Sequence, residues 1–185
     1  MSTYSGILLE RAVNYVVKEL HDNIDDALNV IDGLMADEDR VMATIMGPEY
    51  GPHRTPRPAR FRTGHLPTLD TLEMDEYPYL AVWADLAYPT SDQAEWADTN
   101  IRMFIHAFLL SGDHSLVSRM SYRYLAAIQH ITENNRMGGL VNPLETIGRA
   151  SMGMALKRDY QEGDINTPWF VQPLIYELTL NVIME

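Results

Sequence analysis

The stretch that decides the fold is Pro173-Leu-Ile-Tyr-Glu-Leu-Thr-Leu-Asn-Val-Ile-Met-Glu185. Apolar and polar residues alternate along it, which is the period of a half-buried β-strand. The apolar face is formed by Leu174, Tyr176, Leu178, Leu180 and Val182. The other face carries Glu177, Thr179 and Asn181. We expect this strand to pair in a sheet, within its own subunit or with a neighbouring one, and to close the fold.

Two more alternating segments lie upstream, at Tyr79 to Tyr88 and at Thr99 to Leu110. They follow each other along the chain and predict an antiparallel hairpin. A third strand is predicted from Thr146 to Tyr160, where Gly148 and Gly153 indicate a bulge or close backbone packing. Gln161 to Pro168 is rich in turn residues and predicts the connection to the last strand.

Helical periodicity occurs in two regions. From Asp113 to Asn134 apolar residues recur at intervals of three and four, which predicts an amphipathic helix. Ile7 to Leu20 has the same pattern, and it resumes from Ile24 to Ile31. The sequence leaves open whether the N-terminal region is one helix or two helices broken near His21-Asp-Asn23.

Residues 47–71 differ from the rest because proline and glycine recur too often for regular structure. Arg54, Arg57, Arg60 and Arg62 lie in this segment. We expect a long loop whose arginines reach an acidic neighbouring subunit, DNA phosphates, or only solvent. The acidic remainder of the chain favours self-complementary docking of this basic loop.

Composition limits the class of protein. The chain has 185 residues, 46% of them hydrophobic, which fits one domain over 1–185 with 47–71 as an extended loop insertion. Its net charge of -12 disfavours a surface that grips nucleic acid as a whole. The absence of cysteine excludes disulfides and thiolate metal sites. Neither a membrane span of about 20 apolar residues nor a secretion signal is expected.

The sequence contains no set of residues typical of catalysis. It has no glycine-rich phosphate-binding motif, no nucleophile elbow and no His-Glu-x-x-His pair. Acidic clusters at Asp25-Asp26, Asp37-Glu38-Asp39 and Glu73 to Glu76 are expected to form solvated faces, and His106 a half-buried or interface position. We therefore predict no catalytic residue, no cofactor and no metal site.

Together these elements predict an α+β fold. The order along the chain is α-β-β-α-β-β, with a four-stranded, mainly antiparallel sheet, helices packed on one face and a long Arg/Pro-rich loop.

The second half also resembles a known family. A strand at Ile101–Leu110 leads into a helix containing Tyr122-Arg-Tyr-Leu-Ala-Ala-Ile, followed by a Gly-Gly-Leu-Val break. A strand at Ile147–Arg158 and the terminal Ile-Tyr-Glu-Leu-Thr-Leu-Asn-Val complete the order. This layout is similar to the tail terminator, or tail-completion, proteins of the neck of long-tailed bacteriophages. The resemblance covers roughly residues 1–30 and 75–185, while the loop at 47–71 is longer than the family leads one to expect.

The resemblance implies a structural virion protein and no enzyme. Six copies would form a homo-hexameric ring that caps the tail tube, ends tail polymerisation and docks the tail to the head-closure or connector protein. DNA would pass through the lumen without specific binding, and no membrane would be involved. The protein would reside in the tail or neck of the virion, and in the host cytoplasm during assembly. The predicted contact residues are Arg54, Arg57, Arg60, Arg62, Glu177 and Asn181.

Three other functions fit the sequence less well. One is another head–tail neck component, such as a head-closure or adaptor protein. A second is a small-molecule-binding α+β domain with aromatic residues around a pocket. A third is a nucleic-acid-binding adaptor that uses the arginine loop. The aromatic residues of the second alternative are Tyr79, Trp83, Trp96, Tyr122, Tyr124 and Trp169.

Overall fold

A computed structural model describes residues 5–64, 72–89, 98–134, 141–142, 149–153, 156–162 and 165–183. The fold is α+β, with two helices on a mixed sheet. The helices are α1 (Ser5–Met46) and α2 (His114–Asn134). The strands are β1 (Arg60–Thr63), β2 (Tyr79–Pro89), β3 (Asp98–Ser111), β4 (Val141–Asn142), β5 (Arg149–Met152), β6 (Leu156–Glu162) and β7 (Ile165–Ile183).

The sheet has the order β1-β2-β3-β7, and the short strands β4, β5 and β6 pair in turn with the far side of β7. The pairing of β1 with β2 is parallel, while the other pairings are antiparallel. The sheet is thus mixed and five positions wide, and the predicted four mainly antiparallel strands agree with it only loosely. The strand β1 was missed because its four residues lie in the Arg/Pro segment and show no alternation long enough to be recognised.

The C-terminal stretch pairs as predicted. β7 runs beside β3 from Asp98 opposite Ile183 to Ser111 opposite Phe170. The side chains of Leu174, Tyr176, Leu178 and Leu180 are at most 1% exposed. These residues form the centre of the sheet on its helix-covered face.

The predicted turn over Gln161 to Pro168 is wrong for most of its length. β6 continues to Glu162 and β7 begins at Ile165, so that Pro168 lies opposite Asp159 within a strand. At this point β7 has passed the end of β3 and pairs with β6 alone. A proline is tolerated there because its missing N–H is not needed by a second neighbouring strand.

The predicted third strand is divided into β5 and β6 at Gly153. The backbone N–H of Gly153 donates to the carbonyl oxygen of Pro173 at 3.0 Å. A Cβ at Gly153 would lie 2.7 Å from Cγ of Pro173, which confirms the predicted close backbone packing at this glycine. Gly148 lies outside the described residues.

The N-terminal region is one helix of 42 residues, about 63 Å long at 1.5 Å per residue. The segment His21-Asp-Asn23 does not interrupt it. Lys18 and Asp22, one turn apart, form an ion pair at 2.6 Å, and the amide of Asn23 donates to the carbonyl oxygen of Glu19 at 2.8 Å. Among the described residues no helix is both long and apolar enough to cross a membrane.

Both helices pack on the same face of the sheet. The core joins Val16, Leu20 and Leu28 of α1 and Val117 and Ile128 of α2 to the inward-facing residues of the central strands. Those inward-facing residues are Leu80, Val82, Ile101, Met103, Ile105, Ala107, Leu109, Leu174, Tyr176, Leu178 and Leu180. A smaller cluster on the other face contains Leu72, Tyr77, Tyr79, Ala81, Phe108 and Val171.

The predicted loop over 47–71 is more ordered than expected as far as residue 64. It contains a 3-10 turn at Pro48–Tyr50 and ends in β1. Tyr50, Gly51 and Thr55 are buried, so the segment is folded against the body of the protein. Residues 65–71 lie outside the described part of the chain.

Candidate interaction surface

The sheet face opposite the helices carries several of the predicted contact residues. In the parallel pair, Arg60 lies beside Tyr79 and Arg62 beside Ala81, and partners in register point to the same side of a sheet. Tyr79 and Ala81 belong to the cluster on the face away from the helices. Arg60 and Arg62 therefore point to this face, which we call the open face. Phe61 points to the other side, where its ring centroid is 5.3 Å from that of His21 on α1.

Aromatic side chains lie at the centre of the open face. The rings of Trp83 and Phe104 stack with centroids 4.4 Å apart and an interplanar angle of 16°. The indole N–H of Trp83 donates to Nε2 of His106 at 3.0 Å. All three residues are half-buried, as predicted for His106, and the described residues place no helix over them.

Arg102 links the aromatic centre to two carboxylates. Its Nε donates to Oε1 of Glu177 at 2.7 Å, and a terminal nitrogen lies 3.6 Å from Oδ2 of Asp85. The guanidinium lies over the ring of Phe104, 5.0 Å from its centroid. Glu177, predicted as a contact residue, is thus held in place on the open face by a neighbouring strand.

The edge strand β1 adds positive charge to this face. Nε of Arg60 and a terminal nitrogen of Arg62 each lie 3.8 Å from Oε1 of Glu76. The two guanidinium groups share this one carboxylate, and Glu73 and Asp75 belong to the same acidic turn. The arginine side chains are 54% and 52% exposed, so a partner could reach both.

The structure separates the other predicted contact residues from this group. Arg57 is docked against α1, where it bonds the side chain of Asn29 and lies 3.8 Å from Asp25 and 3.9 Å from Asp32. Arg54 is exposed and makes no hydrogen bond or ion pair within the described part of the chain. Asn181 lies opposite Asn100 and Asn142 in the sheet, and its side chain is outside what the structure describes.

A buried ionic network explains why the segment after α1 is ordered. Both oxygens of the Asp39 carboxylate bond arginines of α2, one to Arg119 and the other to Arg123. Arg123 also donates to Oδ1 of Asp32 at 2.9 Å. Thr55 completes the network, since its N–H and its hydroxyl donate to the two oxygens of Asp32 at 2.9 and 2.5 Å.

The prediction of a solvated acidic face at 37–39 is wrong for Asp39, which is only 2% exposed. The sequence does contain a signal for this network. Asp32 and Asp39 are about two helical turns apart, and Arg119 and Arg123 about one turn apart, so each pair shares one side of its helix. Nothing in the sequence, however, indicates that these two sides face each other.

Further bonds attach the segment to α2. Arg119 donates to the carbonyl oxygen of Tyr50 at 3.0 Å. The hydroxyl of Tyr124 donates to the carbonyl oxygen of Pro56 at 2.7 Å. Burial raises the pKa of Tyr124 well above its ordinary value. These contacts fix the path that leads to β1 and so place Arg60 and Arg62 at the edge of the open face.

Two cavities lined by described residues are small. One, of about 140 Å³, lies between α1 and α2, and another, of about 280 Å³, lies beside Thr63 and Trp83. Typical small-molecule sites have volumes of about 300–1,000 Å³. The aromatic residues suggested for a pocket are dispersed: Tyr124 is in the core between the helices, Trp83 is on the open face and Tyr122 is exposed on α2. Trp96 lies outside the described residues.

Among the described residues, no three His, Asp or Glu side chains are grouped so that they could hold a metal ion. No family model and no curated protein matches this chain. Half-buried tryptophan, phenylalanine and arginine are the side chains enriched in the centres of protein interfaces.

Proposed function

We propose that this chain is a structural subunit of a bacteriophage neck, a tail terminator or tail-completion protein. In this proposal six copies form a ring on the last ring of the tail tube. The ring prevents the addition of further tube subunits and presents a surface to the head-closure or connector protein. The subunit acts in the virion and is assembled in the host cytoplasm.

The open face is the observation that carries the proposal. It combines a stacked Trp83–Phe104 pair with exposed arginines at one edge. Such a surface suits binding to another protein, because aromatic rings supply apolar area and guanidinium groups supply directional bonds. The order of the main elements also agrees with the family resemblance, since α1 precedes the β2–β3 hairpin and α2 precedes the C-terminal strands.

The proposed ring explains how the copies would associate, how DNA would pass and how tube growth would stop. Heterologous contacts between copies close into a ring when the rotation between neighbours allows it. The net charge of -12 would disfavour adhesion of DNA to the lumen, so that DNA could pass without specific binding. Termination would follow from asymmetry of the ring, with one side complementary to the tube and the other side unable to accept a tube subunit.

The test combines the solution mass of the purified protein with negative-stain images of the protein mixed with growing tail tubes. We expect a hexameric ring, or rings that appear only at tube ends, together with tubes that stop growing. Tubes that continue to grow, with no ring at their ends, would contradict the proposal. Binding to isolated head connectors without any effect on tubes would instead identify a head-closure or adaptor protein.

A variant experiment tests the role of the open face. The double variant Trp83→Ala, Phe104→Ala should remain folded by circular dichroism but fail to stop tube growth. Lys18→Ala is the control, because Lys18 is exposed on α1 away from this face. Equal activity of the two variants would show that the open face is not the binding surface.

A further inference from the structure

The segment that follows α1 runs along both helices and ends in β1. It is bounded by Gly47 and Gly64, whose φ angles are 127° and 99°. They are the only described residues with positive φ, a backbone conformation that glycine adopts without steric cost. We call residues 48–63 the strap. It is thus bounded on both sides by positions at which the chain can change direction easily.

The strap is attached to the helices by hydrogen bonds more than by apolar contacts. Arg119 and Tyr124 of α2 donate to its carbonyl oxygens, and Thr55 donates twice to Asp32 of α1. Tyr50 is the one buried apolar side chain of the strap. Segments with few buried apolar contacts open at a lower free energy than the core of a protein.

Asp32 and Asp39 of α1 have different partners. Asp39 bonds Arg119 and Arg123 of α2 and so joins the two helices without the strap. Asp32 accepts from the N–H and the hydroxyl of Thr55 at 2.9 and 2.5 Å, and from Arg123 at 2.9 Å. When Thr55 leaves, Asp32 keeps its bond to Arg123, so the helices can stay joined.

At its far end the strap pairs with β2 through the four residues of β1. The pairing is parallel, which is slightly less stable per residue than antiparallel pairing. The carbonyl oxygens of Pro78 and Val82 accept from the N–H groups that flank β1, at 2.8 and 2.9 Å. Because the backbone groups of successive residues point to opposite sides of a strand, Leu80 also faces β1, while Tyr79 and Ala81 face β3.

We propose that the strap detaches and reattaches as one unit, and that the contact between Asp32 and Thr55 holds it in place. In the detached form Arg60 and Arg62 leave the open face and the edge of β2 has free backbone groups. The helices and the other strands stay folded. A partner that binds both arginines on the open face binds only the attached form and therefore stabilises it. The inference concerns the single subunit and does not rest on the proposed function.

Native-state hydrogen exchange of the purified protein, followed by NMR at increasing denaturant below the unfolding transition, tests this opening. The amides of the strap, with those of Leu80 and Val82, should share one free energy of opening. It should be lower than that of β3 and β7 and depend less on denaturant, because less surface is exposed. The amides of Tyr79 and Ala81, in the same strand, should exchange with β3 instead.

Two results of this experiment would overturn the inference. One is a strap whose amides have the opening free energy and the denaturant dependence of β3 and β7, since the strap would then unfold only with the whole protein. The other is exchange of Leu80 and Val82 together with Tyr79 and Ala81, since the edge of β2 would then not be freed by loss of β1.

Thr55→Val tests the contact that holds the strap, because it removes the hydroxyl bond to Asp32 at nearly constant volume. The strap amides should exchange roughly tenfold faster, as expected for loss of a bond to a charged group. Thr44→Val is the matched control, since its hydroxyl donates to the carbonyl oxygen of Arg40 at an exposed position of α1. Equal exchange of the strap in the two variants would overturn the role of Thr55. A Thr55→Val protein that does not fold would place Thr55 in the main cooperative unit and overturn the inference as well.

Discussion

At the scale of single residues, the buried carboxylate of Asp39 joins the two helices. It bonds Arg119 and Arg123, and Arg123 is itself only 4% exposed in its side chain. Burial of these charges is tolerated because each is paired and hydrogen-bonded. The pairing connects α1 with α2 and with the segment that leads to β1.

Removal of the Asp39 charge should strongly destabilise the protein. Asp39→Asn leaves two guanidinium groups with too little negative charge, and loss of one member of a buried pair costs roughly 3–5 kcal/mol. Chemical denaturation measures the free energy of unfolding. The control is Asp37→Asn, since Asp37 lies on the same helix with 91% of its side chain exposed and should have little effect. Similar unfolding midpoints for both variants would contradict the role assigned to Asp39.

Tyr124 should make the stability depend on pH in the alkaline range. Burial raises the pKa of its phenol well above its ordinary value, so the folded protein keeps the proton that the unfolded chain loses near pH 10. The contribution is complete below about pH 10 and is lost as the pH rises, by up to about 1.4 kcal/mol per pH unit.

Unfolding at a series of pH values above about 9 tests this dependence. Tyr124→Phe should show a shallower loss of stability with pH, and a loss of about 1 kcal/mol at neutral pH from the missing bond to Pro56. Some slope should remain, because burial also raises the pKa of Tyr15, to about 12. An unchanged slope in the variant would show that Tyr124 does not cause it.

At the scale of elements, the amphipathic pattern of α1 continues through both halves of the helix, but the two halves lie in different environments. In the first half the apolar side packs on the sheet, as for Val16 and Leu20. In the second half the same side is exposed, while Asp32 and Asp39 on another side attach α2 and the segment 50–57. Periodicity alone thus predicts the helix but does not distinguish a side that is buried in the core from a side that is exposed.

Two leucine variants should separate these environments. Leu28→Ala removes a fully buried side chain and should cost roughly 2–5 kcal/mol of unfolding free energy. Leu34→Ala removes a side chain that is 72% exposed and should leave the unfolding of the dilute protein nearly unchanged. Denaturation at low protein concentration provides the comparison. A large loss of stability for Leu34→Ala under these conditions would mean that the residue belongs to the core.

At the scale of the whole molecule, the described residues form a sheet with one face covered by helices and an open face with charges at its edge. Three of the four arginines that the sequence places in one segment lie on two different sides of the molecule. Arg57 attaches to α1, while Arg60 and Arg62 point to the open face. They should therefore respond differently to substitution.

Charge reversal should distinguish assembly from folding. Arg60→Glu with Arg62→Glu should leave the unfolding free energy nearly unchanged, because exposed pairs contribute little, and should prevent ring formation. Arg57→Ala should instead lower the unfolding free energy, since it loses contacts within the subunit. Solution mass and denaturation of each variant measure the two effects.

The sequence by itself determined the class of the fold and its main elements. Leu174 to Leu180 alternate and Leu116 to Ile131 recur at helical intervals, and both patterns are local properties of the chain. For this reason the hairpin, α2 and the last strand could be predicted closely. The direction of side chains along β7, including that of Glu177, followed from the same alternation.

Only the tertiary structure decided which surfaces these elements form. The parallel pairing of β1 with β2 joins residues distant in sequence, and it alone directs Arg60 and Arg62 to the open face. The burial of Asp39 depends on arginines in another helix, and the exposure of Leu34 depends on where the sheet ends. Local patterns cannot specify such relations, because burial and pairing are set by the partner that the rest of the chain brings to each residue.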